Sequence, residues 1–266
     1  MASKISRALS RAQESNRAAF IPFVTGGFPD DQRCLALVKQ LAAAGADVIE
    51  IGIPFSDPLA DGPTIQASSQ RALEAGATPA GVLRLAARAA GQVSAPLVIM
   101  TYYNPVLQMG ADEFARRAAA AGVAGVIIPD LPPEEAGPWI TAARAQDLDT
   151  IFMATLLTGD RRLRGILRDS RGFLYYVPLA GVTGSGLEID TTMLKALGQV
   201  RRTAGLPVAV GFGVATPEQA AALGRVADGV IVGSALVREM LEAGDPDQGL
   251  AAAVSLAQRV RAVLED

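Results

Sequence analysis

The sequence predicts a single-domain α/β protein, a closed (β/α)8 or TIM barrel formed by residues 1–266. Short apolar runs rich in β-branched residues alternate eight times with longer segments of helical period. A length of 266 residues is typical of α/β barrels that fold as one domain. No glycine-rich dinucleotide fingerprint follows the first run, which disfavours the alternative, an open doubly wound sheet.

The predicted strands are nearly continuous apolar runs, as expected for a parallel sheet covered by helices. They lie at residues 20–25, 47–52, 96–102, 125–130, 150–155, 173–177, 207–213 and 229–234. Between and after them, apolar residues at three- and four-residue spacing indicate helices. These segments lie at residues 30–45, 79–93, 111–122, 132–146, 158–170, 191–205, 216–226 and 247–266. We also expect an extra N-terminal helix within residues 1–20 and a short phosphate-binding helix after strand eight.

Composition excludes several classes of protein. The net charge of -3 and the lack of a clustered basic stretch argue against a nucleic-acid partner. No apolar run approaches the roughly 18 residues that span a bilayer, and the basic start lacks the apolar core of a signal peptide. The single cysteine, Cys34, excludes an internal disulfide and fits a reducing compartment, so we predict a cytoplasmic protein. Because the chain has no histidine, a His-based triad and a His-ligated zinc site are excluded, and we expect no metal.

Three carboxylates occur within the stretch IEIGIPFSDPLADGPTIQ, residues 49–66. The active site of a TIM barrel forms at the carboxyl ends of its strands, which places Glu50 at the barrel mouth and Asp57 and Asp61 on the following loop. Glu50 and Asp61 are therefore candidates for acid–base chemistry. The alternatives are a structural ion pair between Glu50 and an arginine, and turn-forming roles for Asp57 and Asp61.

Glycines after the last two strands indicate a phosphate site. Gly213 ends strand seven, and Gly233 and Ser234 open a short helix after strand eight. Their backbone N–H groups and the helix dipole can bind an anion, whereas the alternative is a pair of simple glycine turns. The glycine-rich segment 178–190 is predicted to be a lid over the substrate, and its Gly184 can supply a further N–H group.

The residue inventory restricts the chemistry of carbon–carbon cleavage. A Schiff-base aldolase needs a buried lysine, but Lys4, Lys39 and Lys195 lie near the amino end or in helices. A metal-dependent aldolase usually holds its ion with histidines, which this chain lacks. Acid–base catalysis by carboxylates remains, on a substrate that contains its own electron sink. An indole ring protonated at carbon 3 is such a sink.

Seven stretches, in order along the chain, resemble the signature stretches of a known family. They are PFVTGGFPD, IEIGIPFSDPLADGPTIQ, TYYNPV, IIPDLPPEE, GFLYYVPLAGVTG, VGFGVATPEQ and ADGVIVGSALV. Over nearly its whole length the chain resembles the tryptophan synthase alpha subunits, which cleave indole-3-glycerol phosphate to indole and glyceraldehyde 3-phosphate. The resemblance implies a carbon–carbon lyase that acts in the last steps of tryptophan biosynthesis.

The resemblance also implies a role for each catalytic candidate. Glu50 would be the catalytic acid–base, Asp61 would accept a hydrogen bond from the indole N–H, and Tyr175 would be the active-site tyrosine. Thr183 would contact Asp61 when the lid closes. The implied phosphate cradle consists of Gly184, Gly213, Gly233 and Ser234.

A slot for the indole ring and a partner surface follow from the same resemblance. The implied slot consists of Phe23, Met100, Tyr102, Ile127, Met153 and Phe212. Taken alone, Ile127 and Met153 also fit a plain role in the barrel core. The implied partner is a beta subunit in an alpha2beta2 heterotetramer, contacted through Pro54, Asp57 and Asn104. No cofactor is expected in this chain, and pyridoxal phosphate is expected in the beta subunit.

The chain departs from the family pattern at Thr155 and Leu156 and within residues 178–187. These positions bear on lid closure and on communication between subunits. Two alternatives stay open, a free-standing lyase that releases indole and a catalytically quiet relative that activates a partner. Intact Glu50 and Asp61 argue against the quiet relative, whereas the altered lid leaves the free-standing lyase open.

Overall fold

Nine parallel strands form one sheet in the computed structural model, which describes residues 3–178, 189–211 and 213–265. They are β1 (Ala19–Thr25), β2 (Ile49–Gly52), β3 (Leu97–Met100), β4 (Val123–Ile127), β5 (Asp149–Ile151), β6 (Met153–Thr155), β7 (Leu174–Val177), β8 (Val208–Val210) and β9 (Gly229–Val232). Neighbours in the sheet follow the order β5-β4-β3-β2-β1-β9-β8-β7-β6.

The predicted barrel is confirmed, with the fifth predicted strand divided in two. β5 and β6 stand at opposite ends of the strand order, yet only Phe152 separates them along the chain. β5 pairs with β4 and β6 pairs with β7, and the Phe152 carbonyl accepts a 3.0 Å hydrogen bond from the Tyr175 N–H. One continuous run of chain therefore joins both edges of the sheet and closes it.

Twelve helices within the described residues accompany the strands. They are α1 (Lys4–Glu14), α2 (Asp31–Ala43), α3 (Pro63–Glu74), α4 (Pro79–Ala90), α5 (Tyr103–Met109), α6 (Ala111–Ala120), α7 (Gly137–Ala145), α8 (Asp160–Asp169), α9 (Thr191–Ala204), α10 (Pro217–Gly224), α11 (Ser234–Glu242) and α12 (Pro246–Val263). The extra helix predicted at the start is α1, and the short helix predicted after the last strand is α11. In the described part of the chain, no helix combines the length and apolar character that crossing a bilayer requires.

Three helices differ from the sequence patterns. The patterns do not predict α3 and α5, because both begin in stretches whose proline and glycine content is typical of a loop. α3 begins with Pro63 after the N-cap Gly62, where the fixed φ of proline suits a helix start. α7 begins five residues later than predicted, because the N–H of Glu135 bonds back to the Pro132 carbonyl in a turn.

Two apolar layers hold the barrel together. The outer layer packs strands against helices and includes Ile49 and Ile51 of β2. The inner layer fills the barrel and includes Leu9, which is fully buried on α1. Gln13 of α1 donates a 2.6 Å hydrogen bond to Asp228, the residue before β9 begins. α1 therefore closes the amino end of the barrel and leaves the carboxyl end free for a site.

Candidate active site

A cavity of about 420 Å³ opens at the carboxyl ends of the strands. Its volume lies within the range of roughly 300–1,000 Å³ that small-molecule sites occupy. The three predicted catalytic residues, Glu50, Asp61 and Tyr175, all line it. The fold thus brings Glu50 of β2 and Tyr175 of β7 together, although the two residues are far apart in the sequence.

Glu50 is buried in the barrel mouth because side chains alternate along β2. Its neighbours Ile49 and Ile51 belong to the outer layer, so the Glu50 side chain points into the barrel. Glu50 is 3% exposed, and its Oε2 has no hydrogen-bond partner among the described residues. Burial raises the pKa of Glu50 to about 8, and the negative charge of Asp61 adds to this shift. The structural alternative, an ion pair with an arginine, therefore finds no support in the described part of the site.

Asp61 lies near the end of the β2–α3 loop, residues 53–62, and its backbone is fixed from two sides. Its N–H donates to the Pro58 carbonyl at 3.0 Å, and its carbonyl accepts from Gln66 Nε2 at 2.8 Å. The residue is 8% exposed. Burial raises the pKa of Asp61 to about 6, while a hydrogen bond from the Tyr102 hydroxyl acts in the opposite direction. At neutral pH Asp61 is therefore mainly ionised, whereas Glu50 mainly keeps its proton.

Tyr102 lies behind the β2–α3 loop and is absent from the cavity wall that the described residues form. The sequence-based interpretation places it in the indole slot. Its ring stacks on Phe55, with ring centroids 5.3 Å apart, and its hydroxyl accepts a 3.0 Å hydrogen bond from the Ala60 N–H, so its place in the slot stays a prediction. The same hydroxyl is hydrogen-bonded to the Asp61 carboxylate, and burial raises the pKa of this hydroxyl. Tyr102 therefore anchors the loop and contacts the second carboxylate of the site.

Tyr175 of β7 lines the cavity and is 6% exposed. Burial raises the pKa of its hydroxyl well above the ordinary value, and the charges of Glu50 and Asp61 add to the shift. Space for the ring depends on Gly211, where an added Cβ would collide with the Tyr175 hydroxyl. Gly211 is not among the predicted site residues, although it belongs to the same glycine-rich stretch as Gly213.

The apolar part of the cavity wall consists largely of residues predicted for the indole slot. They are Phe23, Met100, Ile127 and Met153. Ile65 of α3 and Ile231 of β9 also line the cavity, and neither is among the predicted residues. A Cβ at Gly52 would lie 2.6 Å from Cζ of Phe23, so glycine at this position makes room for the Phe23 ring. These side chains give the cavity the apolar section that a flat aromatic ring requires.

The glycine-rich edge of the cavity lies at the start of α11. Gly213, Gly233 and Ser234 line it, as the phosphate prediction requires. Gly213 has a φ of +83°, a conformation that favours glycine. Gly233 is the N-cap of α11, whose first N–H groups have no partner within the helix. Arg238 of α11 lines the cavity as well and is not among the predicted residues.

The described residues contain no cluster of three histidine, cysteine or carboxylate side chains that could hold a metal ion. Most of the predicted lid, residues 179–188, lies outside the described residues. So do three predicted site residues, Thr183, Gly184 and Phe212. The closure of the lid and the contact of Thr183 with Asp61 therefore stay predictions.

Four exposed leucines lie on segments that follow the carboxyl ends of β2, β3 and β6. They are Leu59, Leu107, Leu156 and Leu157, with 86, 59, 39 and 76% of their surface exposed. Of the residues predicted to face a partner, Asp57 and Asn104 are exposed, whereas Pro54 is buried within this chain. The surface near the barrel mouth thus includes exposed apolar side chains in addition to the predicted partner residues.

Comparisons with known proteins agree with this geometry. The family model described as tryptophan synthase alpha chain matches residues 9–264. The tryptophan synthase alpha chain of Phenylobacterium zucineum (strain HLK1) is 48% identical over 97% of this chain and 95% of its own length. The alpha chain of Geobacter sulfurreducens is 44% identical over 89% of each chain.

Solved structures lead to the same family. A chain of Mycobacterium tuberculosis tryptophan synthase superposes with a TM-score of 0.91 at 37% identity and 100% coverage of both chains. Tryptophan synthase subunit alpha from Legionella pneumophila str. Paris gives a TM-score of 0.91 at 36% identity and 99% coverage of both. With a family model over almost the whole length and relatives above 40% identity, this chain belongs to the tryptophan synthase alpha chain family.

Proposed function

We propose that this chain is the lyase subunit of tryptophan synthase and cleaves indole-3-glycerol phosphate into indole and glyceraldehyde 3-phosphate. The observation that carries the proposal is the buried pair Glu50 and Asp61, which share one cavity but hold protons differently at neutral pH. The apolar wall suits an indole ring, and the start of α11 suits a phosphate. A ligand with an aromatic ring at one end and a phosphate at the other fits both parts.

The reaction needs one group that gives a proton and later takes one back. Glu50, protonated at neutral pH, donates its proton to carbon 3 of the indole, and the ring becomes a cationic indolenine. The ionised Asp61 accepts a hydrogen bond from the ring N–H and stabilises the positive charge that develops there.

The bond between carbon 3 of the indole and the glycerol chain is then cleaved. The Glu50 carboxylate takes the proton of the hydroxyl on the glycerol carbon that is attached to the ring. That carbon becomes the aldehyde of glyceraldehyde 3-phosphate, and the electron pair of the breaking carbon–carbon bond returns to the indolenine and restores indole. Glu50 is protonated again at the end, so the chain needs no second acid.

Phosphate binding in this proposal depends on the backbone. The N–H groups at the start of α11 and the helix dipole favour an anion without a charged side chain. Gly213, Gly233 and Ser234 supply the described part of this cradle. Roles for Thr183, Gly184 and Phe212 rest on the family resemblance alone.

The exposed leucines at the mouth support a beta-subunit partner. An apolar rim around a catalytic mouth is typical of a surface that another protein covers. We propose that the chain works with a beta subunit, which would carry pyridoxal phosphate, in an alpha2beta2 heterotetramer in the cytoplasm. A free-standing lyase with the same chemistry is the competing proposal.

The test is to incubate the chain with indole-3-glycerol phosphate and to measure indole and glyceraldehyde 3-phosphate, which should appear in equal amounts. We expect Asp61→Asn to lower kcat/KM by about 100-fold, because a neutral amide cannot stabilise the developing charge as well as a carboxylate does. Asp112→Asn, the same change at an exposed position on α6, should leave the rate within twofold. Normal turnover by Asp61→Asn would reject the mechanism.

The partner is tested by size-exclusion chromatography of the chain with a tryptophan synthase beta subunit, together with indole release in both states. A stable complex with faster turnover and little free indole supports the heterotetramer. Absence of a complex, with full activity of the chain alone, supports the free-standing lyase.

A further inference from the structure

Arg238 is the only positively charged residue among the described residues that line the cavity. The same wall contains two carboxylates, Glu50 and Asp61. A substrate phosphate brings two further negative charges into this space. At neutral pH the ionised Asp61 repels those charges, so a cation in the cavity wall would favour binding of the phosphate.

The helix geometry directs Arg238 toward the glycine-rich edge. Arg238 lies four residues after Ser234 on α11, so both side chains lie on the same face one turn apart. Side chains on a helix tilt toward its amino end, and that end carries Gly233 and Ser234. The guanidinium of a long, exposed arginine at this position can therefore reach an anion bound at the start of α11.

A neighbouring arginine provides a contrast. Arg259 of α12 lines a separate groove beside α11, together with Glu218. Hydrogen bonds from the backbone and from Thr216 lower the pKa of Glu218, and the charge of Arg259 adds a smaller effect in the same direction. Arg238 lines both the cavity and this groove, which also contains Glu218 and Glu239. Among the described residues it forms no ion pair or side-chain hydrogen bond with either carboxylate or with any other residue. Only Arg238 of the two also lines the cavity, so its charge is available to a ligand there, whereas Arg259 lines the groove alone.

We infer that Arg238 is a binding residue for the phosphate of the substrate and sets the preference of the site for a phosphorylated indole-glycerol over an unphosphorylated one. The inference rests on the proposed function for the identity of the substrate. Backbone N–H groups fix the position of the phosphate, and Arg238 adds the full positive charge that those groups lack. The charge also orients the substrate, since the phosphate is drawn away from Glu50 and Asp61.

The expected kinetic signature separates binding from chemistry. The phosphate does not change during carbon–carbon cleavage, so an interaction with it stabilises the bound substrate and the transition state equally. Removal of the charge should raise KM for indole-3-glycerol phosphate about 5- to 30-fold and leave kcat within about twofold. A purely structural role would lower the amount of folded protein and would not produce this split.

The experiment compares Arg238→Gln with the matched control Arg259→Gln, which removes the same charge from the groove beside α11. KM and kcat are measured with indole-3-glycerol phosphate, and the affinity for inorganic phosphate is measured separately by phosphorus NMR titration. We expect Arg238→Gln to weaken both KM and phosphate affinity, and Arg259→Gln to change neither by more than twofold. Arg238→Lys should recover part of the loss, because the charge remains but the planar fork does not.

Three results would overturn the inference. They are unchanged KM and phosphate affinity in Arg238→Gln, an equal loss in Arg259→Gln, and a defect of Arg238→Gln that appears only when a beta subunit is present. If the wild-type chain binds phosphate but does not release indole, the proposed function fails. In that case Arg238 still stands as an anion-binding residue, provided that Arg238→Gln weakens phosphate binding.

Discussion

Both ends of the barrel contain buried or half-buried carboxylates, but the surroundings of these carboxylates differ between the two ends. Glu50 and Asp61 at the carboxyl end, the mouth carboxylates, have raised pKa values and no ion pair among the described residues. Asp47 and Asp228 at the amino end, the base carboxylates, are surrounded by donors. The base carboxylates hold parts of the fold together, whereas the mouth carboxylates are available for chemistry.

The base carboxylates accept hydrogen bonds from donors in distant parts of the chain. Asp47 accepts two hydrogen bonds from Arg17, of 2.6 and 2.8 Å, and a third of 2.8 Å from the Phe20 N–H. Asp228 accepts from Gln13 of α1 and Arg201 of α9, at 2.6 and 2.8 Å. These bonds tie α1 and α9 to the start of the sheet.

Asp149 shows that location alone does not set the behaviour of a base residue. It is fully buried at the start of β5, and its nearest cation, Arg171 Nε, lies 3.6 Å away. Burial raises its pKa, and the side chain of Ser3 and the charge of Arg171 only partly oppose this shift. Whether a buried carboxyl group is stabilised in its ionised form depends more on the number of donors within hydrogen-bond distance than on the end of the barrel at which it lies.

The difference has a thermodynamic consequence at the mouth. The folded-state pKa of Glu50, about 8, exceeds its ordinary value of 4.5, so the folded protein binds this proton more tightly than the unfolded chain does. The contribution of Glu50 to stability is therefore present below pH 4.5 and is lost as pH rises toward 8. An acid that lowers stability at neutral pH is expected where function requires it.

The largest effect is expected for Glu50→Gln, which keeps the shape of the side chain but removes the proton exchange. We expect indole release to fall by at least about 1,000-fold, because the variant can neither donate nor accept the catalytic proton. The same variant should be more stable than the wild type by roughly 2 kcal/mol at pH 8, with a smaller difference at pH 5. Indole assays and chemical denaturation at both pH values check this. Near-normal turnover, or a loss of stability at pH 8, would break the comparison.

The mouth was more predictable from the sequence than the base. Glu50 follows from strand alternation and from the rule that barrel sites form at the carboxyl ends of strands. Gly213 and Ser234 follow from local glycine patterns near the last strands. The base pairs are not predictable in this way, because Gln13 and Asp228 lie 215 residues apart and no local pattern links them.

The features of the mouth that the sequence did not reveal were missed for physical reasons. Tyr102 continues the alternation of Val98 and Met100 into the inner layer, but its contacts with Phe55 and Ala60 join distant parts of the chain and could not be deduced from a local pattern. Arg238 carried one usable signal, its four-residue spacing from Ser234, but an exposed arginine on a helix is common. The sequence did not predict α3, because Gly62 and Pro63 are equally typical of a loop and of a helix start.

At the base, Asp228→Ala should produce the opposite pattern to Glu50→Gln. Loss of the carboxylate leaves the Val208 N–H, which donates to it at 2.8 Å, and the Gln13 amide without their partner. We expect a loss of about 3 kcal/mol in the free energy of unfolding, with the activity per folded molecule preserved. Urea denaturation and active-site titration measure the two quantities, with Asp112→Ala on α6 as an exposed control. A variant that keeps its stability but loses activity would mean that the base carboxylates also serve the chemistry.

The smallest effect concerns the hydrogen bond between Tyr102 and Asp61. Activity requires Asp61 ionised and Glu50 protonated, so kcat/KM of the wild type should be bell-shaped, with limbs near pH 6 and pH 8. The Tyr102 hydroxyl favours ionised Asp61, and Tyr102→Phe should therefore raise the pKa of Asp61 and move only the acidic limb to higher pH. At pH 6 we expect the rate to fall about threefold, with little change at pH 8 beyond a small loss from a looser loop.

Tyr103→Phe, which removes a hydroxyl at the adjacent position, serves as the control and should leave both limbs in place. A parallel shift of both limbs in Tyr102→Phe would indicate a general change in the cavity and would contradict a specific bond to Asp61. If the acidic limb of Tyr102→Phe does not move at all, burial alone sets the mouth carboxylates. Partner contacts would then set the behaviour of carboxylates only at the base, where Arg17 and Arg201 are among the donors.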